Sequence, residues 1–177
     1  MLEVEAKFRA VLDEVRERVK ALGFSLVGVQ EEVDVYFQHP CRDFSATDEA
    51  LRLRISAGGA ELTYKGPRLG AGAKTRFEAS TMAGPEVVEV LQRLGFREVA
   101  RIRKRREYYA GGGFTVSLDW VEGLGEFVEI EKVVPDRSFV EAAVAEVRGL
   151  AERLGLWDEV RETYLELFLR RGTGNTQ

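Results

Sequence analysis

Charged residues recur at every second position in most of the extended segments of this 177-residue chain. The first example opens the sequence, where Glu3, Glu5 and Lys7 alternate with apolar residues. Side chains at positions i, i+2 and i+4 of a strand lie on the same face of a sheet. This strand therefore has one apolar face and one charged face. A single such face indicates solvent exposure, but its recurrence in the later strands requires another explanation.

Eight segments have the composition of strands, and most are separated by short turns. They are residues 1–9, 25–38, 50–57, 60–66, 74–82, 97–110, 113–121 and 125–134. Amphipathic segments predict helices over residues 10–22, 84–94, about 137–154 and about 158–170. The short turns predict an antiparallel meander, and closing it into a barrel removes the exposed edges. The expected fold is mainly β (α+β), a closed eight-stranded barrel with helices packed outside and a lumen wide enough for one small ligand.

The direction of the charged faces decides what such a barrel would contain. Beyond the first strand, the faces carry Arg52, Arg54, Thr63, Lys65, Lys74, Arg76, Glu78, Lys104, Arg106, Thr115, Ser117, Asp119, Glu129 and Glu131. If these faces pointed outward, the apolar stripes of the helices would find no apolar exterior to cover. We therefore expect them to point inward. Arg103 and Arg105 have the opposite parity, so we expect them on the outside of the barrel.

A lumen of this composition favours charged ligands, because buried charge without a partner is very costly. Lysine and arginine neutralise phosphate oxygens, and the arginine fork binds them in a bidentate manner. Glutamate and aspartate oxygens are hard ligands suited to Mg²⁺ or Mn²⁺. The pattern thus predicts a site for a polyphosphate and divalent cations, and hence for phosphoryl transfer by positioning and charge stabilisation.

The composition of the chain narrows the classes of fold, ligand and location that are possible for it. A hydrophobic content of 45% supports a core, and the length favours one domain. A net charge of −4 argues against a nucleic-acid-binding surface. Cys41 is the only cysteine, so no intrachain disulfide can form. We expect no membrane span, and no signal peptide because the charged motif begins at residue 3. The chain is accordingly expected in the cytoplasm, and a homodimer is left open.

The motifs, in chain order, resemble those of the CYTH superfamily, the triphosphate tunnel metalloenzymes. Glu3-x-Glu5-x-Lys7 is similar to its N-terminal signature, and Asp34-Val35-Tyr36-Phe37 to its second-strand motif. The further matches are Leu51-Arg52-Leu53-Arg54, Leu62-Thr63-Tyr64-Lys65, Thr75-Arg76-Phe77-Glu78, Lys104-Arg105-Arg106, and the hairpin from Leu118-Asp119 to Glu129-Ile130-Glu131. The resemblance covers residues 1–170, expected as one CYTH-like domain followed by a flexible tail over residues 171–177.

The resemblance implies roles for individual residues. Metal binding would fall to Glu3, Glu5, Glu129 and Glu131, with Mg²⁺ or Mn²⁺ as cofactor. Triphosphate binding would fall to Lys7, Arg52, Arg54, Lys65, Arg76, Lys104 and Arg106. Glu78 and Asp119 would be further acidic groups of the catalytic set, together with Glu3, Glu5 and Lys7.

Two reactions are compatible with this site, and the charged residues do not separate them. In a class IV adenylyl cyclase, the ribose 3′-hydroxyl of ATP attacks the α-phosphorus and pyrophosphate leaves. In a thiamine or inorganic triphosphatase, water attacks the terminal phosphorus. We place the cyclase first because the His39–Phe44 loop and the Tyr164-Leu165-Glu166-Leu167 segment resemble the cyclase branch. A non-catalytic triphosphate or nucleotide binder is a third reading, and whether Arg42 contacts a nucleotide or is a plain surface residue stays open.

Overall fold

The fold comes from a computed structural model, which describes residues 1–70, 74–84 and 86–173. The strands are β1 (Leu2–Arg9), β2 (Ser25–Gln38), β3 (Ala50–Ser56), β4 (Gly59–Arg68), β5 (Lys74–Ala83), β6 (Arg97–Gly111), β7 (Phe114–Val121), β8 (Gly125–Val134) and β9 (Asp158–Glu159). The helices are α1 (Leu12–Ala21), α2 (Phe44–Thr47), α3 (Val87–Arg93), α4 (Val140–Arg153) and α5 (Tyr164–Thr173), with a 3-10 turn at Arg137–Phe139.

Eight antiparallel strands close into a barrel, as the sequence predicts. Their order is β5-β4-β3-β2-β6-β7-β8-β1, and β1 closes the circle by pairing with β5. The expectation of a single meander is wrong. Two meanders, β2 to β5 and β6 to β8, meet through the pairing of β2 with β6, and β1 lies between β8 and β5. The difference arises at α1 and α3, because a helical connection lets the chain pass to a strand that is not its sequence neighbour.

Apolar residues on the outer faces of the strands form the core with the helices. Val4 of β1 is fully buried with Val15 of α1 and Val147 of α4. On the other side of the barrel, α3 contributes Leu91 to a cluster with Leu53 and other outward-facing residues of β2 and β3. Burying one such side chain contributes about 1.5–3 kcal/mol. This packing fixes the register of each strand, since a shift of one residue would exchange its two faces.

Helix α5 packs differently from α1, α3 and α4, because it lies across one end of the barrel. Its Tyr164 and Leu167 are buried against Ile102 and Phe127. These two strand residues have the parity of Lys104 and Glu129, so they belong to the inner face. Helix α5 therefore closes one end of the lumen and forms one boundary of the site.

The remaining boundaries differ in detail from the sequence-based expectation. The helix predicted over residues 84–94 spans Val87–Arg93, and Pro85 lies outside the described residues. The final helix starts at Tyr164 rather than 158, since the preceding segment pairs with β1 as β9. It continues to Thr173, and the rest of the predicted tail, residues 174–177, is also outside the described part. None of the helices in the described ranges combines the length and apolar character needed to cross a bilayer.

Candidate active site in the barrel lumen

The barrel encloses a cavity of about 500 Å³, which we call the lumen cavity. Its lining includes all seven cations of the sequence-based set, Lys7, Arg52, Arg54, Lys65, Arg76, Lys104 and Arg106. It also includes the carboxylates Glu3, Glu5, Glu78, Glu129 and Glu131. Asp119 does not line the cavity; it is completely buried behind Arg106, to which it is hydrogen-bonded. Apart from Asp119, the charged residues that the sequence analysis assigns to the site thus lie around one cavity.

The parity of β6 is as the sequence predicts. Lys104 and Arg106 face inward and are only 2% and 4% exposed. Arg103 and Arg105 lie on the outer face and are exposed. A strand that is charged on both faces is therefore divided between a lumen wall and a solvated surface.

Strands β1 and β8 form the acidic side of the lumen. Glu5 is directly opposite Glu131 across this pair, and Glu3 is opposite Arg76 across the pair of β1 with β5. Burial raises the pKa of Glu3 to about 9; Lys65 opposes that shift, while Glu131 and Glu5 add to it. Burial and the nearby Glu5 likewise raise the pKa of Glu131. The shifts have a simple cause, since like charges in a partly dry site disfavour one another's ionised forms.

The donor set fits a hard divalent cation in its chemistry. Carboxylate oxygens are the ligands that Mg²⁺ and Mn²⁺ prefer, and a cation would relieve the repulsion among Glu3, Glu5 and Glu131. As the side chains lie here, no three metal-binding groups converge among the residues that the structure describes. The position of Glu129 contributes to this lack of convergence, because its two oxygens lie 2.5 Å from Nη2 of Arg106 and 3.4 Å from Nζ of Lys7.

Arg106 is the most firmly held cation of the basic side. Its Nε donates to Asp119 at 2.5 Å, and its Nη2 donates to Glu129. Tyr164 of α5 donates its hydroxyl hydrogen to the same Asp119 at 2.6 Å, and its ring lies 3.8 Å from the ammonium of Lys7. Burial would lower the pKa of Arg106, but Asp119 and Glu129 outweigh it and raise the pKa well above its ordinary value.

A second ionic cluster contains two carboxylates that the sequence analysis did not assign to the site. Asp34 accepts hydrogen bonds from Arg54 at 2.8 and 2.9 Å and from Lys104 at 3.0 Å. Glu32, only 1% exposed, is 3.0 Å from Arg54 and 3.4 Å from Lys104. Burial would raise the pKa of Asp34, yet Lys104 and Arg54 hold it well below its usual range.

The sequence did contain a signal for these residues. Glu32, Asp34 and Tyr36 alternate with Val33, Val35 and Phe37, which is the same period-two pattern seen in β1. The carboxylates of Glu32 and Asp34 hold Arg54 and Lys104 in place and offset the cost of burying these two cations. Tyr108, whose hydroxyl donates to Glu32, lines the cavity beside them.

Arg52 differs from the other buried cations. Its side chain is 11% exposed, and its Nε has no hydrogen-bond partner among the described residues. Its Nη2 is 3.4 Å from the hydroxyl of Thr63 and 3.9 Å from Glu61. A buried guanidinium with such weak contacts is costly without a further acceptor. It is therefore suited to an anion in the lumen cavity.

Taken together, these features define a class of protein: a closed antiparallel barrel whose lumen is lined by a set of cations facing a set of carboxylates. Comparison with known proteins identifies the family. The family model for the CYTH domain matches residues 1–164, and the chain belongs to the CYTH family.

Relatives and solved structures agree with this assignment. The Methanocaldococcus jannaschii protein MJ0240, named provisionally as an adenylate cyclase, is 37% identical over 94% of this chain and 98% of its own. The adenylate cyclase CyaB of Aeromonas hydrophila is 32% identical over 75% of this chain and 69% of its own length. The structure of PH1819 from Pyrococcus horikoshii OT3 superposes with a TM-score of 0.88 at 42% identity, covering 96% of this chain and 99% of the other.

A more distant structure shares the fold alone. The Hippeastrum protein HpAC1 has a TM-score of 0.71 at 16% identity, covering 97% of this chain and 95% of its own. That protein is named provisionally as an adenylyl cyclase, and a dominant triphosphatase activity is described for it.

Proposed function

We propose that this protein is a phosphoryl-transfer enzyme that acts on a triphosphate substrate in the barrel lumen, and that its reaction is the adenylyl cyclase reaction. The observation that carries the proposal is the lumen cavity, where seven cations face a cluster of carboxylates. The relatives named as adenylate cyclases, at 37% and 32% identity, favour ATP as the substrate. The cytoplasm, where ATP and divalent cations are available, is its expected location.

The roles we assign follow the charges of the lining. The seven cations, Lys7, Arg52, Arg54, Lys65, Arg76, Lys104 and Arg106, would bind the phosphate oxygens. Glu3, Glu5 and Glu131 would hold a divalent cation, Mg²⁺ or Mn²⁺, with Glu129 joining them if it exchanges its contacts with Lys7 and Arg106. When bound, such an ion supplies charge neutralisation at the phosphates and polarises them. Glu78, 2.5 Å from Lys65, and Asp119, bonded to Arg106, would orient these cations.

The cyclase reaction forms one bond and breaks one bond at the α-phosphorus. The ribose 3′-oxygen attacks, its proton is released, and the bond to the bridging oxygen of pyrophosphate breaks. Negative charge then accumulates on the leaving pyrophosphate. Preorganised cations in a partly dry site stabilise such charge strongly, and the paired carboxylates Asp34, Glu32 and Asp119 keep those cations fixed before the substrate arrives.

A triphosphatase reaction is the second candidate. One feature of the lumen favours it: the charged residues are suited to bind phosphates, and this binding needs no contact with an organic group. The activity described for the Hippeastrum protein points the same way, although that likeness is one of fold.

One experiment separates these reactions. The protein is incubated with ATP, thiamine triphosphate or tripolyphosphate, each with Mg²⁺ or Mn²⁺, and the products are resolved by chromatography. Cyclic AMP and pyrophosphate from ATP would support the cyclase, whereas orthophosphate release would support the triphosphatase. Tight binding without any product would instead identify a non-catalytic binder and contradict the proposal.

A further inference from the structure

A second cavity, of about 670 Å³, adjoins the lumen cavity at the end closed by α5. We call it the side pocket. Its walls are the segment from Phe37 to Leu51, the start of β6 and one side of α5. Five residues line both cavities: Tyr36, Ala50, Arg76, Thr163 and Leu165. A ligand that contacts Arg76 from the lumen can therefore extend into the side pocket. Its volume is in the ~300–1,000 Å³ range of small-molecule pockets.

The side pocket is less polar than the lumen and contains aromatic rings. His39 and Phe44 both line it, with ring centroids 5.8 Å apart. Phe96, which is not part of the lining, packs edge-on against His39 at 5.1 Å. Val99 and Leu169 add aliphatic surface from β6 and α5. Flat heteroaromatic rings stack favourably on such side chains. The pocket thus offers more apolar surface for the organic part of a substrate than the lumen does.

The walls of the side pocket are held by hydrogen bonds before any ligand binds. Asp48, in the left-handed region at φ 55°, accepts from the backbone N–H and the Nε of Arg68 at 2.8 and 2.9 Å. Arg68 also donates to Glu166 of α5 at 2.8 Å. The loop and the helix are therefore tied together across the pocket.

The charges of the lining indicate which organic group fits. Glu49 accepts from Tyr64 at 2.6 Å and pairs with Arg42 at 3.0 Å, while Asp48 and Glu166 are engaged by Arg68. These three carboxylates already have cationic partners, so they offer little to a positively charged ring such as thiazolium. The fourth carboxylate of the lining, Asp43, accepts from the N–H and the hydroxyl of Ser45. The ring nitrogen Nδ1 of His39 accepts from the N–H of Cys41 at 3.0 Å, which leaves the Nε2–H as a donor. The lining suits an uncharged ring with hydrogen-bond acceptors.

We propose that the side pocket binds the uncharged nucleoside of a nucleoside triphosphate whose phosphates lie in the lumen cavity. This inference rests on the proposed function. Under this proposal, contacts in the side pocket determine that the protein prefers ATP to tripolyphosphate and to thiamine triphosphate. The competing location is the open mouth of the barrel, where a bulge in β2 turns Val27 toward the lumen cavity. Val27 is 64% exposed there.

The test compares two ligands in variants of exposed lining residues. Leu169 and Val99 are 43% and 40% exposed, so Leu169→Glu and Val99→Glu should leave the fold intact. Phe168→Glu, the neighbour of Leu169 on α5 that does not line the pocket, is the matched control. Dissociation constants for ATP, used as its α,β-methylene analogue so that it is not turned over, and for tripolyphosphate are measured with Mg²⁺ by calorimetry. Tripolyphosphate binding by the wild type tests the proposed function separately.

We expect Leu169→Glu and Val99→Glu to weaken ATP binding at least tenfold and to change tripolyphosphate binding less than twofold. General repulsion by the added carboxylate cannot produce this result, because it would act on tripolyphosphate as well. Phe168→Glu should change neither constant. Unchanged ATP binding in both pocket variants, equal loss of both ligands, or a selective loss of ATP in Val27→Glu alone would each overturn the proposal. Absence of tripolyphosphate binding in the wild type would overturn the proposed function together with it.

Discussion

Arg52 and Arg106 line the same cavity but differ in how they are held. Arg106 is bonded to Asp119 and Glu129, whereas the Nε of Arg52 has no partner among the described residues. Removing one member of a buried ion pair leaves the other charge uncompensated, which costs about 3–5 kcal/mol. We therefore expect a change at Arg106 to disturb the fold as well as the proposed ligand binding, which makes Arg52 the better probe of ligand binding.

We predict that Arg52→Gln weakens the binding of tripolyphosphate at least tenfold and changes the free energy of unfolding by less than about 1 kcal/mol. A lost charge-assisted contact to phosphate accounts for the first effect. The weak protein contacts of Arg52 account for the second. Calorimetric titration and urea unfolding measure the two quantities. Arg103→Gln, which makes the same charge change on the outer face of β6, should affect neither; equal effects in both variants would refute the role of Arg52.

Glu3 gives a prediction about pH. Its pKa is raised to about 9 in the folded protein, from an ordinary value of 4.5. At pH values between 4.5 and about 9, Glu3 therefore binds more protons in the folded state than in the unfolded state. Its contribution to stability falls as the pH rises through this range. In the presence of a chelator, Glu3→Gln should be more stable than the wild type at pH 8, and the difference should shrink toward pH 5.

Urea unfolding at a series of pH values measures this difference. Mg²⁺ should reduce it, because a bound cation favours the ionised carboxylates that otherwise repel one another. Glu17→Gln, an exposed change on α1, is the control. A Glu3→Gln variant that is less stable than the wild type at pH 8 without metal would show that Glu3 is not under electrostatic strain.

At the scale of elements, α5 is the part that converts a barrel into a closed site. Its Tyr164 is 5% exposed, donates to Asp119 and lies against the Lys7 ammonium. Through Asp119 it is connected to Arg106, and through Glu166 the helix is connected to Arg68. The closure of the lumen and the orientation of its cations therefore depend on the same helix.

We predict that Tyr164→Phe lowers the free energy of unfolding by about 1.5–3 kcal/mol, the usual value of a hydrogen bond to a charged group. The aromatic contacts with Phe127 and Lys7 remain, so the helix should stay docked. Triphosphate affinity should fall in parallel, because Asp119 loses one of the partners that fix it beside Arg106. Thermal unfolding and titration measure these effects. Stability equal to that of the wild type would mean that the hydrogen bond to Asp119 makes no net contribution.

The elements also show where sequence reasoning succeeds and where it fails. Period-two alternation predicts the inward direction of Lys104 and Arg106 and the outward direction of Arg103 and Arg105, because parity is a local property of a strand. The pairing of Asp34 with Arg54, or of Glu32 with Lys104, depends on which strands become neighbours. That order is set by the crossings of α1 and α3, which the sequence pattern does not reveal. The same holds for α5, whose apolar stripe indicates burial but not burial at the barrel end.

At the scale of the molecule, the fold concentrates cations around a cavity while the chain as a whole carries a net charge of −4. The cations of the lumen repel one another, and burial together with Arg106 and Arg54 lowers the pKa of Lys104. Asp34, Glu32 and Asp119 offset part of that repulsion. A bound polyanion would offset more, so the ligand should stabilise the folded state.

The most direct test of the account is therefore a thermal-unfolding series with four ligands: tripolyphosphate, ATP, orthophosphate and adenosine, each with and without Mg²⁺. A ligand that binds only the folded state at a hundredfold excess over its Kd adds about 2.7 kcal/mol. In a domain of this size that corresponds to a rise in Tm of roughly 5–10 °C. We predict such a rise for tripolyphosphate and ATP, larger with Mg²⁺, a small rise for orthophosphate and none for adenosine. A rise with adenosine as large as that with tripolyphosphate would contradict the claim that the lumen binds the triphosphate.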